Sequence, residues 1–245
     1  MLAKLRNSSL AIIIVVLSLM LSGCMYPKDQ LKQNQIATGE FVVVVQNAVD
    51  QFHTKTGVLP IKNSEQTTPL YEKYPIDFKK LKERAMISSI PANAFENGGT
   101  AVYVLVDVET KPTVKMMDLI SFQLTAEVQK QVDDYRAKNY GKLPTGEQVA
   151  PSFYRIDFAK MNKKPVQAAS MYTRQVMLPL LLDDTGRVSI DYAEEMMRLI
   201  DKKSLQKSLD SKQDLRELLV KESFYVPART GPYHWLNGQP TPVVE

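Results

Sequence analysis

The chain has 245 residues, of which 44% are hydrophobic and 24% are charged, so it is long and apolar enough to bury a core and is not expected to be disordered. Its formal net charge of +4 at pH 7 is small for this length and does not indicate a nucleic-acid partner. The single cysteine, Cys24, excludes a disulfide within the chain.

The N-terminus has the pattern of an export signal. A short basic stretch precedes the apolar run 10–21, which suits a signal peptide, whereas a membrane-spanning helix needs about 20 apolar residues. Residues 21–24, Leu-Ser-Gly-Cys, follow directly and resemble the lipobox of bacterial lipoproteins. The resemblance implies that residues 1–23 are a lipoprotein signal peptide, that Cys24 carries the acyl chains, and that the protein is lipid-anchored on the extracytoplasmic face of the cell membrane. The alternative is an uncleaved anchor with an incidental buried cysteine.

Residues 24–36 are polar and amide-rich, with one proline, and favour a flexible tether. No second cysteine follows Cys24, which fits a Gram-positive exporter better than a disulfide-rich periplasm.

The body contains an internal repeat, in which four landmarks recur in the same order at offsets of 74 to 84 residues. This predicts two tandem α+β modules, 37–120 and 121–200; the alternative is two unrelated stretches that share common turn chemistry. The landmarks are a helical apolar stripe (Val45, Val49 and Phe52, then Val128, Val132 and Tyr135), Gly-x-Leu-Pro (57–60, then 141–144), Ile-Asp-Phe (76–78, then 156–158) and a β-hairpin (103–116, then 176–190).

Each module is interpreted as a helix, a short capped helix and an antiparallel β-hairpin. The run 41–45 suits a strand as well as a helix, so the start of the first helix is open, whereas 125–138 is a clear amphipathic helix. Asp77 and Asp157 are suited to cap the short helices, with an apolar residue on each side as a hydrophobic staple.

The order helix, Gly-x-Leu-Pro, capped short helix and hairpin resembles the globular part of type IV pilins and secretion pseudopilins. The resemblance rests on residues 135–144 and 154–161 and the hairpin behind them. It implies only the α+β arrangement, because a pilin carries a long apolar helix for filament packing, whereas the apolar segment here is short and ends in the lipobox-like motif.

Residues 201–245 form a C-terminal extension. Amphipathic helices are predicted at 191–208 and 211–222, followed by a tail that combines four prolines with aromatic residues. Such a tail packs as extended chain along the body or serves as a recognition strip. Tyr233, His234 and Trp235 are the candidate contact strip.

The sequence carries no catalytic motif that we recognise, such as a phosphate-binding loop or a nucleophile elbow, and no metal-ligand spacing. The two histidines, His53 and His234, lie in separate segments, and the acidic pairs 133–134, 183–184 and 194–195 have local explanations as helix or turn residues. We therefore expect a non-enzymatic binding or scaffold protein without cofactor or metal, whose partner is an envelope protein or wall polymer. The alternative is a solute-binding lipoprotein of an ABC transporter.

Overall fold

The computed structural model describes residues 28–244, and the side chains of residues 38–244. The signal peptide, the lipobox-like motif and Cys24 lie outside the described residues. The chain divides into two units, residues 1–40 and 41–245, and nearly all of the repeated body lies in the second. The fold is α+β, as expected from the sequence.

Helix α1 (Lys28–Thr56) opens the described chain and begins within the segment 24–36 that the sequence favours as a tether. The run 41–45 is helical because it continues the apolar spacing of this helix: Val42, Val45, Val49 and Phe52 form one buried stripe. The helix ends at Gly57, whose φ of +73° is a left-handed conformation that glycine adopts readily.

The first module places helix α1 on one face of a small antiparallel sheet. The short helix α2 (Phe78–Glu83) begins as predicted at Asp77, whose carboxylate accepts the backbone N–H groups of residues 79 and 80. The hairpin consists of β1 (Ala101–Val106) and β2 (Thr113–Asp118). Single bridges extend it to Ile61 through residues 75 and 76, and the module core lies between this sheet and α1.

The second module repeats this order with helix α3 (Leu119–Lys138) and a four-stranded sheet. The strands are β3 (Thr145–Ala150), β4 (Phe153–Ile156), β7 (Leu180–Asp183) and β8 (Val188–Ile190), paired in that spatial order. Asp157 caps a 3-10 helix, Phe158–Met161, as Asp77 caps α2.

Strand register confirms the repeat. In each module, the chain after Gly-x-Leu-Pro pairs with the chain before Ile-Asp-Phe, which pairs with the first hairpin strand, which pairs with the second. Equivalent residues in the two modules are separated by the offsets of 74 to 84 residues found in the sequence. The matching pairs are Ile61↔Ile76, Pro75↔Val104 and Leu105↔Val114 in the first module, and Thr145↔Ile156, Arg155↔Leu181 and Leu182↔Val188 in the second.

The modules also share a side-chain bridge between helix and hairpin. In each, a helix glutamine donates from Nε2 to a carbonyl of the hairpin turn and accepts a backbone N–H of the following strand, which satisfies two main-chain groups with one side chain. The bridges are Gln46 to Pro112 O (3.0 Å) and from Val114 N (2.7 Å), and, 83 residues later, Gln129 to Gly186 O (2.8 Å) and from Val188 N (2.7 Å).

Two sequence predictions in the second module need correction. Helix α3 begins at Leu119 rather than at residue 125, because Asp118 caps it through the N–H of Ser121. The expected strand 176–182 is interrupted at Pro179, which lacks the N–H that a continuous ladder needs. Its first part is β6 (Met177–Leu178), which pairs with β5 (Ala168–Ala169) in a separate arm.

Helix α4 (Ala193–Lys203) follows β8 and crosses the expected module boundary at residue 200. The C-terminal extension then contains helix α5 (Arg216–Glu222) and a hairpin of β9 (Tyr233–Leu236) and β10 (Gln239–Pro242). Both helices are shorter than predicted. Helix α5 contacts both modules, since Leu219 lies in the core of the second module and Val220 packs on the outer face of the first module's sheet. Among the described helices, none has the length and apolar character needed to cross a membrane.

Candidate functional site

The segment 223–230, here called the shared segment, lies along the free hairpin edge of both sheets. Met116 of β2 donates its N–H to Phe224 O (2.8 Å) and accepts the N–H of Val226 (2.9 Å). Ile190 of β8, the residue equivalent to Met116, donates to Arg229 O (2.8 Å). Pairing of this kind removes exposed edges that would otherwise attract other strands. One stretch of chain therefore closes two equivalent edges.

Three tyrosines from separate elements pack around the shared segment, which itself contains a fourth. Tyr71 belongs to a 3-10 helix, Leu70–Glu72, Tyr172 to the β5–β6 arm, Tyr192 precedes α4, and Tyr225 lies in the segment itself. Tyr172 and Tyr192 stack edge to face with ring centroids 5.9 Å apart, and the Tyr192 hydroxyl donates to Ala228 O (3.2 Å). Burial raises the pKa of the Tyr71, Tyr172 and Tyr192 hydroxyls, so all three stay neutral at physiological pH.

The charged side chains Glu72 and Arg216 of this region are paired with other groups of the same chain. Glu72 accepts the backbone N–H of Arg229 (2.6 Å) and so fixes the shared segment to the first module. Arg216 pairs with Asp214 (2.8 Å), donates to Thr230 O (2.9 Å) and lies over the Tyr71 ring. Buried charges are tolerated when they are paired and hydrogen-bonded in this way.

Arg229 differs from Arg216 in how its side chain is used. Its guanidinium lies over the Phe122 ring at 4.8 Å, and its buried Nε has no acceptor among the described residues. Its φ of +57° is unusual for a residue with a side chain, and the backbone contacts with Glu72 and Ile190 hold it there.

The candidate contact strip is divided between core and surface. Tyr233 is 1% exposed, and its hydroxyl donates to Asp191 (3.1 Å), which also pairs with Arg155 (2.8 Å). Burial, with the Asp191 carboxylate nearby, raises the Tyr233 pKa. Trp235, on the same face of β9, packs partly buried against the second module's core, while His234 alternates to the other face and is partly exposed. Tyr233 therefore belongs to the core, and the three residues do not form one exposed strip.

The other polar residues singled out in the sequence lie apart. His53 is exposed on α1, far along the chain from His234 in β9. Asp183 accepts the backbone N–H groups of Thr185 and Arg187 and so shapes the β7–β8 turn, and Glu195 accepts the hydroxyl of Thr173. Among residues 28–244, no group of three or more His, Cys, Asp or Glu side chains is placed to hold a metal ion.

The shared segment and the side chains that pack around it or bond to it are here called the seam. Sequence reasoning missed the seam residues Tyr71, Glu72, Tyr172 and Tyr192. Their contacts join positions far apart in the chain, such as Glu72 and Arg229, which are 157 residues apart. No local pattern marks such pairs. The only signal was indirect: aromatic and proline residues in the tail indicated extended chain packed against the body.

Residues 38–118 match the model of the YphF family N-terminal domain. The matched region is about one third of the chain and coincides with the first module, ending at the last residue of β2. No curated protein and no solved structure matches the chain.

Proposed function

We propose that the protein is an extracytoplasmic lipoprotein, held at the cell membrane by acylated Cys24, that acts as a non-enzymatic binding or scaffold protein of the envelope. The observation that carries the proposal is the order of basic stretch, apolar run, small residues and cysteine at the N-terminus. A diacyl anchor gives stable attachment, whereas a single acyl chain binds only marginally.

The seam supports the binding or scaffold part of the proposal. Its acids and Arg216 are engaged with other groups of the fold, and its buried tyrosines are neutral, so this concentration of polar groups has a sufficient structural explanation. The shared segment lies between the two hairpin edges, so the surface offered to a partner is sought on the outer faces of the modules rather than at these edges.

Replacing Cys24 by Ala tests the anchor, because only the thiol can form the thioether to diacylglycerol. We expect Cys24→Ala to lose acyl labelling and to appear unprocessed or shed into the medium. Metabolic labelling with palmitate and membrane fractionation measure both effects. Ser22→Ala is the matched control, since alanine is also small, and it should be labelled and retained as the parent chain is. A Cys24→Ala chain that is still labelled and processed normally contradicts the anchor.

Capture of partners from solubilised membranes tests the binding role. The full acylated chain is cross-linked in cells, solubilised and recovered alongside a thermal-shift screen of amino acids, sugars, peptides and metal ions. We expect one stoichiometric envelope component and no solute response. A reproducible shift of several degrees with one solute, without a protein or polymer partner, would overturn the scaffold role in favour of a transporter's solute receptor.

A further inference from the structure

The chain contains two exposed Asn-Gly pairs, Asn97–Gly98 and Asn237–Gly238. Asparagine followed by glycine is the sequence most prone to spontaneous loss of the side-chain amide, because the glycine N–H meets little steric hindrance, and asparagine is among the thermolabile residues. Both pairs are exposed, so we expect any difference in their rates of amide loss to depend on hydrogen bonding.

In the first pair, hydrogen bonds fix both reacting groups, the side-chain amide of Asn97 and the backbone nitrogen of Gly98. Asn97 donates from Nδ2 to Ile90 O at 3.1 Å, which fixes the side-chain amide. Gly98 donates its N–H to Phe95 O at 3.0 Å, which directs the attacking nitrogen away from the Asn97 side chain. Reaction at this pair requires both hydrogen bonds to break.

The second pair has neither restraint. Asn237 and Gly238 form the two-residue tip of the β9–β10 hairpin, closed by the Leu236↔Gln239 pair, with φ of +52° and +78° as in a type I′ turn. Among the described residues, neither the Asn237 side chain nor the Gly238 N–H has a hydrogen-bond partner. The Asn237 side chain and the Gly238 nitrogen can therefore approach each other without breaking a hydrogen bond of their own.

We propose that Asn237 is a site of spontaneous succinimide formation and deamidation in the folded protein. The Gly238 nitrogen attacks Asn237 Cγ, the new C–N bond forms as the Cγ–Nδ2 bond breaks, and the proton from Gly238 leaves with Nδ2 as ammonia. Water then opens the ring at either carbonyl and gives aspartate or isoaspartate at position 237.

The two products affect the hairpin differently. Aspartate keeps the normal backbone, and Asp-Gly fits a type I′ turn as well as Asn-Gly does. Isoaspartate inserts a methylene into the main chain of a two-residue turn, so the Leu236↔Gln239 register can no longer be kept. The hairpin also places Tyr233 in the core, so isoaspartate should lower the melting temperature while aspartate should not.

The test is ageing of the full-length chain in detergent at mildly alkaline pH, followed by peptide mapping with mass spectrometry. We expect the modification at Asn237 to exceed that at Asn97 several-fold, with isoaspartate and aspartate separated chromatographically. The same incubation in urea should bring the two rates together, because unfolding removes the two hydrogen bonds at Asn97–Gly98. Equal rates in the folded chain would overturn the proposal, as would a faster rate at Asn97 or a difference that persists unchanged in urea.

Discussion

Val226→Asp is expected to unfold the body, at a cost of about 4 kcal/mol or more, because it places a carboxylate without a partner in an apolar cluster. Val226 is 3% exposed, donates its N–H to Met116, and packs with residues of β1, β2 and α5. This loss is a large part of the stability of about 5–15 kcal/mol typical of folded proteins. Urea unfolding followed by circular dichroism measures it.

Phe224→Asp is the matched control in the same segment. Phe224 is 43% exposed, and its hydrogen bond to β2 is made by the backbone carbonyl, which the substitution keeps, so the new carboxylate can stay in water. We expect a change below about 1 kcal/mol. Similar losses for the two variants would show that the segment is not buried between the modules as described.

Alkaline pH is expected to unfold the protein cooperatively, because burial raises the pKa of five tyrosines above the value of about 10 that they have in an unfolded chain. Above that pH the unfolded chain releases protons that the folded chain keeps, so stability falls as pH rises. Each tyrosine contributes a slope of up to about 1.4 kcal/mol per pH unit, and five together give about 7. The five are Tyr71, Tyr103, Tyr172, Tyr192 and Tyr233.

Lys115 opposes this trend weakly. Burial lowers the pKa of Lys115. Between this folded-state pKa and the unfolded value of about 10.4, the unfolded chain binds one more proton at this site than the folded chain does, so stability rises with pH. Above about 10.4 the lysine is neutral in both states and has no further effect. Tyrosinate absorbance should therefore show the buried tyrosines ionising together, in the same transition as loss of circular dichroism.

Two single substitutions check the assignment of this alkaline transition. Tyr71→Phe should reduce the dependence of stability on pH by the contribution of one tyrosine. Tyr140→Phe should leave it unchanged, since Tyr140 is 99% exposed. Gradual ionisation of all tyrosines with the fold intact would contradict the described burial.

The parts of the fold that short-range patterns determine could be predicted from the sequence. Asp77 and Asp157 cap helices because their side chains reach N–H groups two or three residues ahead, and the apolar stripe of α1 is a matter of spacing within one helix. The repeat was visible because the landmarks kept their order, and strand register then confirmed it.

Long-range pairing could not be predicted. Phe224 and Met116 pair across more than a hundred residues, and the shared segment, with a proline in its middle, has none of the apolar alternation that indicates a strand. Strand β3 is similarly hard to predict, because its exposed residues 146–148, Gly-Glu-Gln at the sheet edge, include no apolar side chain. The interpretation of residues 233–235 as a contact strip is wrong at Tyr233, because a cluster of aromatic residues is as typical of a buried core as of a binding surface.

Hydrogen–deuterium exchange at the backbone amides of Met116 and Ile190 tests most directly whether one C-terminal segment closes both repeated modules. These equivalent amides donate to Phe224 and Arg229 of the shared segment. We expect both amides to be protected far beyond exposed amides in the parent chain. In Val226→Asp, under conditions in which circular dichroism still shows helix, we expect both to lose protection together. Free exchange at either amide in the parent chain, or release of Met116 alone, would contradict the closure of both modules by one segment.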